Sequence, residues 1–462
     1  MGAPAGAPIV ERVRASLPPT WAAVVLTLSA DRRALHVARI AADTDVFILP
    51  IERQSAREGE AEELTADAVL GELRAITADS NAHVKEAQHV SALEARKAWW
   101  AARRALDARL GALLARVQDV WLGAFSALLA PPRPLPPAAL SALRRRVHDT
   151  LAKACARTHA RIPAVRAAAL ECLARLPADT PHDIIEDWLH YAMDTLTLSG
   201  APIAQDEADL DEMCVDLQSA LEDAHRAARA TDAPAGHTVL VLDRELCEFP
   251  WESLPALRTH SVSRVPSLEF LLTRAPLAPR TLDPARTAYL LNPSGDLVRS
   301  EERFGPWLTA HPAWRGTTGR APVIDEFAQA LAMHDTFLYF GHSGGEQYVR
   351  ATRLRALDSC AATMLWGCSS GVLCAHGEFD RSGTPLDYMA AACPALVAGL
   401  WDTTDRELDS VCEAVLRGVG LMDGGGPEHL PLPAAVAAAR SKCRLPHLTG
   451  AAIVVYGIPV RW

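Results

Sequence analysis

Three short segments of this 462-residue chain carry side chains that could do nucleophilic chemistry together. Gly341-His342-Ser343-Gly344-Gly345 follows the apolar run Thr336–Phe340. Gly367-Cys368-Ser369-Ser370-Gly371 follows Thr363–Trp366. Trp401-Asp402-Thr403-Thr404-Asp405 closes the run Leu396–Trp401, and Asp409 lies four residues further on. A cysteine attacks as its thiolate and needs a neighbouring base to become one near neutral pH. His342 could be that base and could later protonate a leaving amine. The flanking glycines let a substrate backbone come close. Backbone N–H groups of Ser343 and Cys368 could then receive an oxyanion. The carboxylates of Asp402, Asp405 and Asp409 suit a guanidinium, which pairs with a carboxylate through two charge-assisted hydrogen bonds.

Each residue also has a plainer reading. A free cysteine often packs as a small hydrophobe. Asp405 precedes a helical stretch and would serve as its N-cap, with Asp409 on the same helical face. Gly367-Cys368-Ser369-Ser370-Gly371 also fits G-x-S-x-G, a nucleophile elbow with Ser369 as nucleophile. That rival needs an acid and a histidine downstream; His429 and His447 are present, but neither follows a strand-like run. Cys374 and His376 are two metal-ligand types without a partner pair, and they read as structural.

The elements that would position these residues fall into two parts, divided near residues 230–236. Before the division the pattern is mostly helical. Trp21–Ser29 and Ala34–Ile40 read as a hairpin around Asp31-Arg32-Arg33, and Val46–Ile51 as a third strand. Leu106, Leu110, Leu113, Val117 and Trp121 form one apolar stripe. Pro131–Pro137 breaks the pattern, and helices are expected at 139–175, 183–197 and 207–229. After the division, short apolar runs alternate with helical stretches. The runs are His237–Leu242, Thr287–Leu291, Thr336–Phe340, Thr363–Trp366, Leu396–Trp401 and Ala452–Tyr456. The helical stretches include Ile324–Met333, Thr384–Ala392 and Asp405–Arg417. This alternation predicts an α/β fold with a mostly parallel sheet flanked by helices. In such sheets, chemistry sits beyond the carboxyl ends of the strands. His342, Cys368 and the acidic cluster all lie there.

Composition narrows the classes further. Hydrophobic residues make up 49% and charged residues 22%, which excludes a wholly disordered or collagen-like chain. The net charge of −10 gives no basic footprint for nucleic acid. The ten cysteines show no paired C-x-x-C metal spacing. Met1 to Pro19 has no long apolar segment, so no secretory signal is expected. No apolar run of about 18 residues exists to span a membrane. Neither a metal nor a cofactor is expected.

Several of these segments resemble the catalytic region of separase. They are Phe337 to His342, Leu365 to Gly371 and Leu400 to Asp405, together with Phe249-Pro250-Trp251-Glu252-Ser253-Leu254-Pro255, Ser261 to Leu268, Gly450-Ala451-Ala452 and Tyr456 to Val460. The resemblance is dense over 237–462 and thinner over 1–230. It implies a caspase-like protease domain at 234–462. It implies an α-rich, degenerate protease-like companion domain with a helical insertion at 1–233. It further implies a cysteine endopeptidase that cuts after Arg in the kleisin subunit of cohesin, releasing sister chromatids at anaphase. Cys368 would be the nucleophile and His342 its partner. Asp409 is favoured as the acid that receives the substrate arginine, with Asp402 and Asp405 as neighbours. A securin-type pseudosubstrate inhibitor is the implied partner, with no direct contact to nucleic acid or membrane. The implied location is cytoplasm and nucleus, on the spindle in mitosis. The alternative is a catalytically impaired caspase-like scaffold that binds such an inhibitor. Two departures stand out. Ser343 replaces the glycine that usually follows the catalytic histidine, which predicts backbone strain there. Family members are also usually much longer, with a large helical region ahead of this part.

Overall fold

The central strands form because their sequences are short, unbroken apolar runs, the pattern of strands covered on both faces. Thr336–Phe340 and Ala362–Trp366 are buried at every position. The computed structural model describes residues 7–41, 44–50, 64–132, 135–155, 165–200, 209–228, 236–274, 277–323, 325–424 and 429–462. In chain order the strands are β1 (Trp21–Leu28), β2 (Ala34–Ile40), β3 (Thr44–Pro50), β4 (His237–Leu242), β5 (Ser261–Val265) and β6 (Arg280–Thr281). They continue as β7 (Thr287–Leu291), β8 (Arg315–Thr318), β9 (Thr336–Phe340), β10 (Ala362–Trp366) and β11 (Cys374–His376). The last are β12 (Phe379–Ser382), β13 (Ala395–Gly399), β14 (Ile453–Gly457) and β15 (Val460–Arg461).

Eleven of these strands make one sheet, in the order β3-β2-β1-β4-β5-β14-β13-β10-β9-β7-β8. The pairings β1·β2, β2·β3 and β13·β14 are antiparallel, and the others are parallel. The expected α/β architecture with a mostly parallel sheet is therefore the one observed. The sheet runs unbroken across the two sequence parts, because β1 lies in register beside β4, Trp21 against His237. The expected division near 230–236 falls largely on residues 229–235, outside the described residues.

The hairpin β1–β2 and the third strand β3 form as the alternation predicts, although Ile51 lies outside the described residues. The stretch 139–175 expected as one helix is two, Pro137–Cys155 and Ala167–Arg175, with 156–164 outside the described residues. The expected helices 183–197 and 207–229 are His182–Leu198 and Leu210–Ala228; 207–208 and 229 are not described. Residues 133–134 of the proline-rich break, residue 324 at the start of another expected helix, and residues 1–6 of the N-terminal stretch also lie outside.

The sequence pattern hides β5. Ser261-Val262-Ser263-Arg264-Val265 has three polar residues in five yet is wholly buried. Each polar group has a partner, as burial demands. His237 bonds the hydroxyls of Ser261 and Ser263 at 2.9 and 3.0 Å. Arg264 pairs with the carboxylate of Glu252 at 2.5 and 2.7 Å and donates to the Phe249 carbonyl at 2.8 Å. Burial pushes His237 down to about 3, so it is neutral. The Phe249–Pro255 segment thus owes its Glu252 to a fully enclosed arginine.

A change of winding direction singles out one crevice. From β7 the chain moves outward to β8, then returns to place β9 on the other side of β7. It continues in that direction through β10 to β13. The loops after β7 and β9 therefore leave the sheet in opposite directions, and a crevice opens between their carboxyl ends.

Candidate active site

The crevice gathers residues from four strand ends. A pocket there is lined by Leu297 and Ser300 after β7, His342 after β9, Cys368 after β10, and Asp405, Leu408 and Asp409 after β13. The structure thus brings together His342, Cys368, Asp405 and Asp409. Asp402 does not line this pocket. Its carboxylate accepts from the Ser369 hydroxyl at 2.5 Å, and its N–H donates to Asn81 Oδ1 at 3.1 Å. That contact also engages Ser369, the nucleophile of the rival elbow reading, with a carboxylate and not a histidine.

The His342 and Cys368 loops interlock through backbone. A Cβ on Gly367 would lie 2.1 Å from the Ser343 carbonyl oxygen and 2.7 Å from that of Gly341. Only glycine fits that approach. Ser343 itself sits at φ 52°, and Ser369 at φ 54°, left-handed conformations that a residue with Cβ adopts at a cost. The strain expected at Ser343 is present. Gly344 N–H is taken by the Glu346 carboxylate at 2.9 Å. Among the described residues the N–H groups of Ser343 and Cys368 have no acceptor, so both remain available to an oxyanion.

Each catalytic candidate has its own resting partner. His342 Nε2 bonds Asp296 at 2.9 and 3.1 Å. Asp296 was not visible as a candidate in the sequence. It lies in the Asn292–Leu297 turn, which Asn292 holds at φ 50° by accepting the Leu297 N–H at 2.8 Å. The signal that points to it is topological: it follows the strand where the winding changes. The Ser294 hydroxyl, then His342, hold the Asp296 carboxyl below its ordinary range. Asp296 is thus a carboxylate that accepts Nε2–H, leaving Nδ1 of His342 as the basic nitrogen. Both side chains are about half exposed, so water screens the pair.

Cys368 Sγ donates to the Thr403 carbonyl at 3.0 Å. Burial, with the Asp402 and Asp405 carboxylates adding to it, pushes the thiol up to about 11. At rest Cys368 is therefore a thiol.

Asp409 is the buried acid of the pocket, only 8% exposed. Its two oxygens accept from the Ser300 hydroxyl at 2.9 and 3.1 Å. Burial pushes its carboxyl up to about 6. Asp405 stands at the exposed rim one helical turn earlier; loss of water around its carboxyl raises its pKa, and His342 pulls it the other way. The pocket is narrow, with about 10 Å³ of water-accessible space, barely enough to hold one water. A substrate side chain must widen it and share or displace Ser300.

Among the described residues no cluster of three or more His, Cys, Asp or Glu forms a metal-binding group. Cys374 and His376 are exposed on β11, where His376 bonds the Ser382 hydroxyl at 2.8 Å. Among the described residues no helix is long and apolar enough to cross a membrane.

The family model described as separin, protease domain, matches residues 30–408. The chain belongs to the separin protease-domain family. Curated separins resemble it along most of its length. The Emericella nidulans separin is 36% identical over 96% of this chain and 23% of its own. The Schizosaccharomyces pombe separin is 35% identical over 96% of this chain and 25% of its own. The Mus musculus separin is 31% identical over 84% of this chain and 17% of its own. The chain therefore spans a quarter or less of the length of these three relatives. A crystal structure of the Saccharomyces cerevisiae separase–securin complex superposes with a TM-score of 0.87 and 25% identity, over 98% of this chain and 31% of that one. The separase resemblance read from the motifs holds, and the fold is the caspase-like α/β sheet that it implied.

Proposed function

We propose that this separin-family domain is a cysteine endopeptidase that cuts after arginine in the kleisin subunit of cohesin and so releases sister chromatids at anaphase. One observation carries the reading: His342, Cys368, Asp405 and Asp409 line a single pocket at the carboxyl ends of the sheet. A substrate arginine enters beside Asp409, where a buried carboxylate gains most from a bidentate guanidinium. Its scissile carbonyl then lies over Cys368. His342 Nδ1 takes the thiol proton as sulfur attacks, because the resting thiol is too weakly acidic to ionise alone. Asp296 holds the ring and stabilises the imidazolium that forms. The N–H groups of Ser343 and Cys368 receive the oxyanion, and His342 returns the proton to the leaving amine. Water then hydrolyses the acyl-enzyme.

The solved separase relative is a complex with securin, and it supports a securin-type pseudosubstrate as the partner here. The proposed place of action is cytoplasm and nucleus, on the spindle in mitosis. Residues 1–233 are proposed as the companion domain and 234–462 as the protease domain.

A second reading, an impaired scaffold that binds the inhibitor, is favoured by the narrow pocket and by Cys368 engaged on Thr403. A peptide ending in an arginyl electrophile separates the two. The protease is expected to gain the peptide's mass at Cys368, and the citrulline analogue is expected to label it at least tenfold more slowly. A scaffold would gain no mass from either.

A further inference from the structure

The helix Asp405–Gly418 presents two acids to the pocket and a third away from it. Asp405 and Asp409 are four residues apart and share the pocket side. Glu407 is two residues from each, which on a helix turns it to another face. There it meets Arg103, from the helix Leu93–Val117 some 300 residues earlier in the chain. Arg103 is fully buried. Its Nη2 lies 3.7 Å from Glu407 Oε2, its Nη1 lies 3.3 Å from Ser80 Oγ, and its guanidinium covers the Trp99 ring at 5.3 Å. Glu407 Oε2 also accepts from the Thr404 and Thr449 hydroxyls, each at 3.2 Å.

Three further hydrogen bonds run from the same helix pair to the loops beside this helix. Asn81, next to Ser80 on the helix Ala66–Glu86, accepts the Asp402 N–H at 3.1 Å. One turn after Arg103, Asp107 accepts the N–H groups of His447 and Leu448 at 2.9 and 2.7 Å. The Leu448 carbonyl in turn accepts from Trp401 Nε1 at 2.8 Å. A Cβ on Gly111 would lie 2.7 Å from the His447 ring, so the helix is packed hard against that loop. Every one of these contacts lands on, or is relayed to, the segment 401–407 that leads into the pocket helix.

We infer that the helices Ala66–Glu86 and Leu93–Val117 clamp the arginine-recognition helix, and that Arg103 and Glu407 are positioning residues that set the depth of Asp409 in its pocket. The inference rests on Asp409 and Asp405 receiving the substrate arginine. Removing Arg103 strips the buried Glu407 carboxylate of its counter-ion, which drives the first turn toward water. A cavity of about 440 Å³, lined by Trp99, Arg406, Glu407 and Ser410, lies beside the pair and gives that turn room to move.

The test compares wild type, Arg103→Leu, Glu407→Gln and the double variant Arg103→Leu/Glu407→Leu, each assayed well below its own melting temperature. The substrates are an arginyl fluorogenic peptide and its citrulline analogue. Arg103→Leu is expected to raise KM for the arginyl peptide about tenfold, to change kcat less than about threefold, and to shrink the preference for arginine over citrulline by about fivefold or more. The double variant, with no ion left buried, is expected to recover most of that loss. Unchanged KM and unchanged arginine preference in folded Arg103→Leu would overturn the inference. Should Arg103→Leu fail to fold, the near-isosteric Glu407→Gln carries the same comparison. A wild type that cleaves no arginyl peptide overturns the proposed function instead. The clamp is then read from amide exchange at residues 405–409, where acceleration in the variants supports it and equal exchange overturns it.

Discussion

Asp409→Asn is expected to lower kcat/KM for an arginyl peptide by about 10²- to 10⁴-fold while leaving the citrulline peptide within about threefold. The range follows from what a buried ion pair loses when one partner goes, about 3–5 kcal/mol, at 1.36 kcal/mol per decade of rate. The amide keeps the shape of the pocket, so the loss belongs to the charge. The same substitution is expected to stabilise the fold near neutral pH. The Asp409 carboxyl is raised from 3.8 to about 6 by burial. A folded pKa above the unfolded one means that its stabilising contribution is complete below about pH 3.8 and is lost as pH rises through 6. At pH 7.5 the native protein thus carries a buried carboxylate at a cost of up to about 3 kcal/mol, which Asn does not carry. Urea unfolding should place the Asn variant above wild type at pH 7.5 and level with it near pH 4. Equal activity loss on both peptides, with no gain in stability, would make Asp409 structural only.

His342→Ala and Cys368→Ser are each expected to lower kcat on the arginyl peptide by about 10³-fold or more, and the double variant should be little worse than either. Groups that act on one proton and one bond fail together. The strength of the effect follows from the resting state. With its thiol pushed up to about 11, Cys368 has almost no thiolate of its own near neutral pH, so attack depends on His342. Asp296→Asn should fall between these and wild type, at about 10- to 100-fold, because it acts through the ring it orients. All four proteins should melt alike, since His342 and Asp296 are half exposed and Cys368 sits in a loop.

The pocket's residues were legible because they follow unbroken apolar strands. Thr336–Phe340, Ala362–Trp366 and Ala395–Gly399 are each followed within a few residues by a candidate group, and the parallel sheet brings those strand ends together. The strain at Ser343 was legible only through the resemblance, in which a glycine usually follows the histidine. Asp296 was not, because Asn292-Pro293-Ser294-Gly295 reads as an ordinary turn, and only the reversal from β8 back to β9 places it against His342. β5 was missed because three of its five residues are polar, and their partners, His237 and Glu252, lie elsewhere in sequence. β8, Arg315–Thr318, was missed because it is a short edge strand with little apolar content. Asp402 read as a neighbour of the favoured Asp409 in the arginine site; its loop turns it to Ser369 instead, a distinction that spacing does not carry. The contact of Asn81 with Asp402 spans 321 residues, beyond any periodicity.

The most direct test of the account is to incubate a cohesin kleisin fragment with the wild-type chain and with Cys368→Ser, and to identify the new termini by mass spectrometry. The expected result is one or a few cuts, each with arginine as the new C-terminal residue, made by wild type and absent with Cys368→Ser. Identical cuts by both proteins, or cuts that follow residues other than arginine, would contradict it.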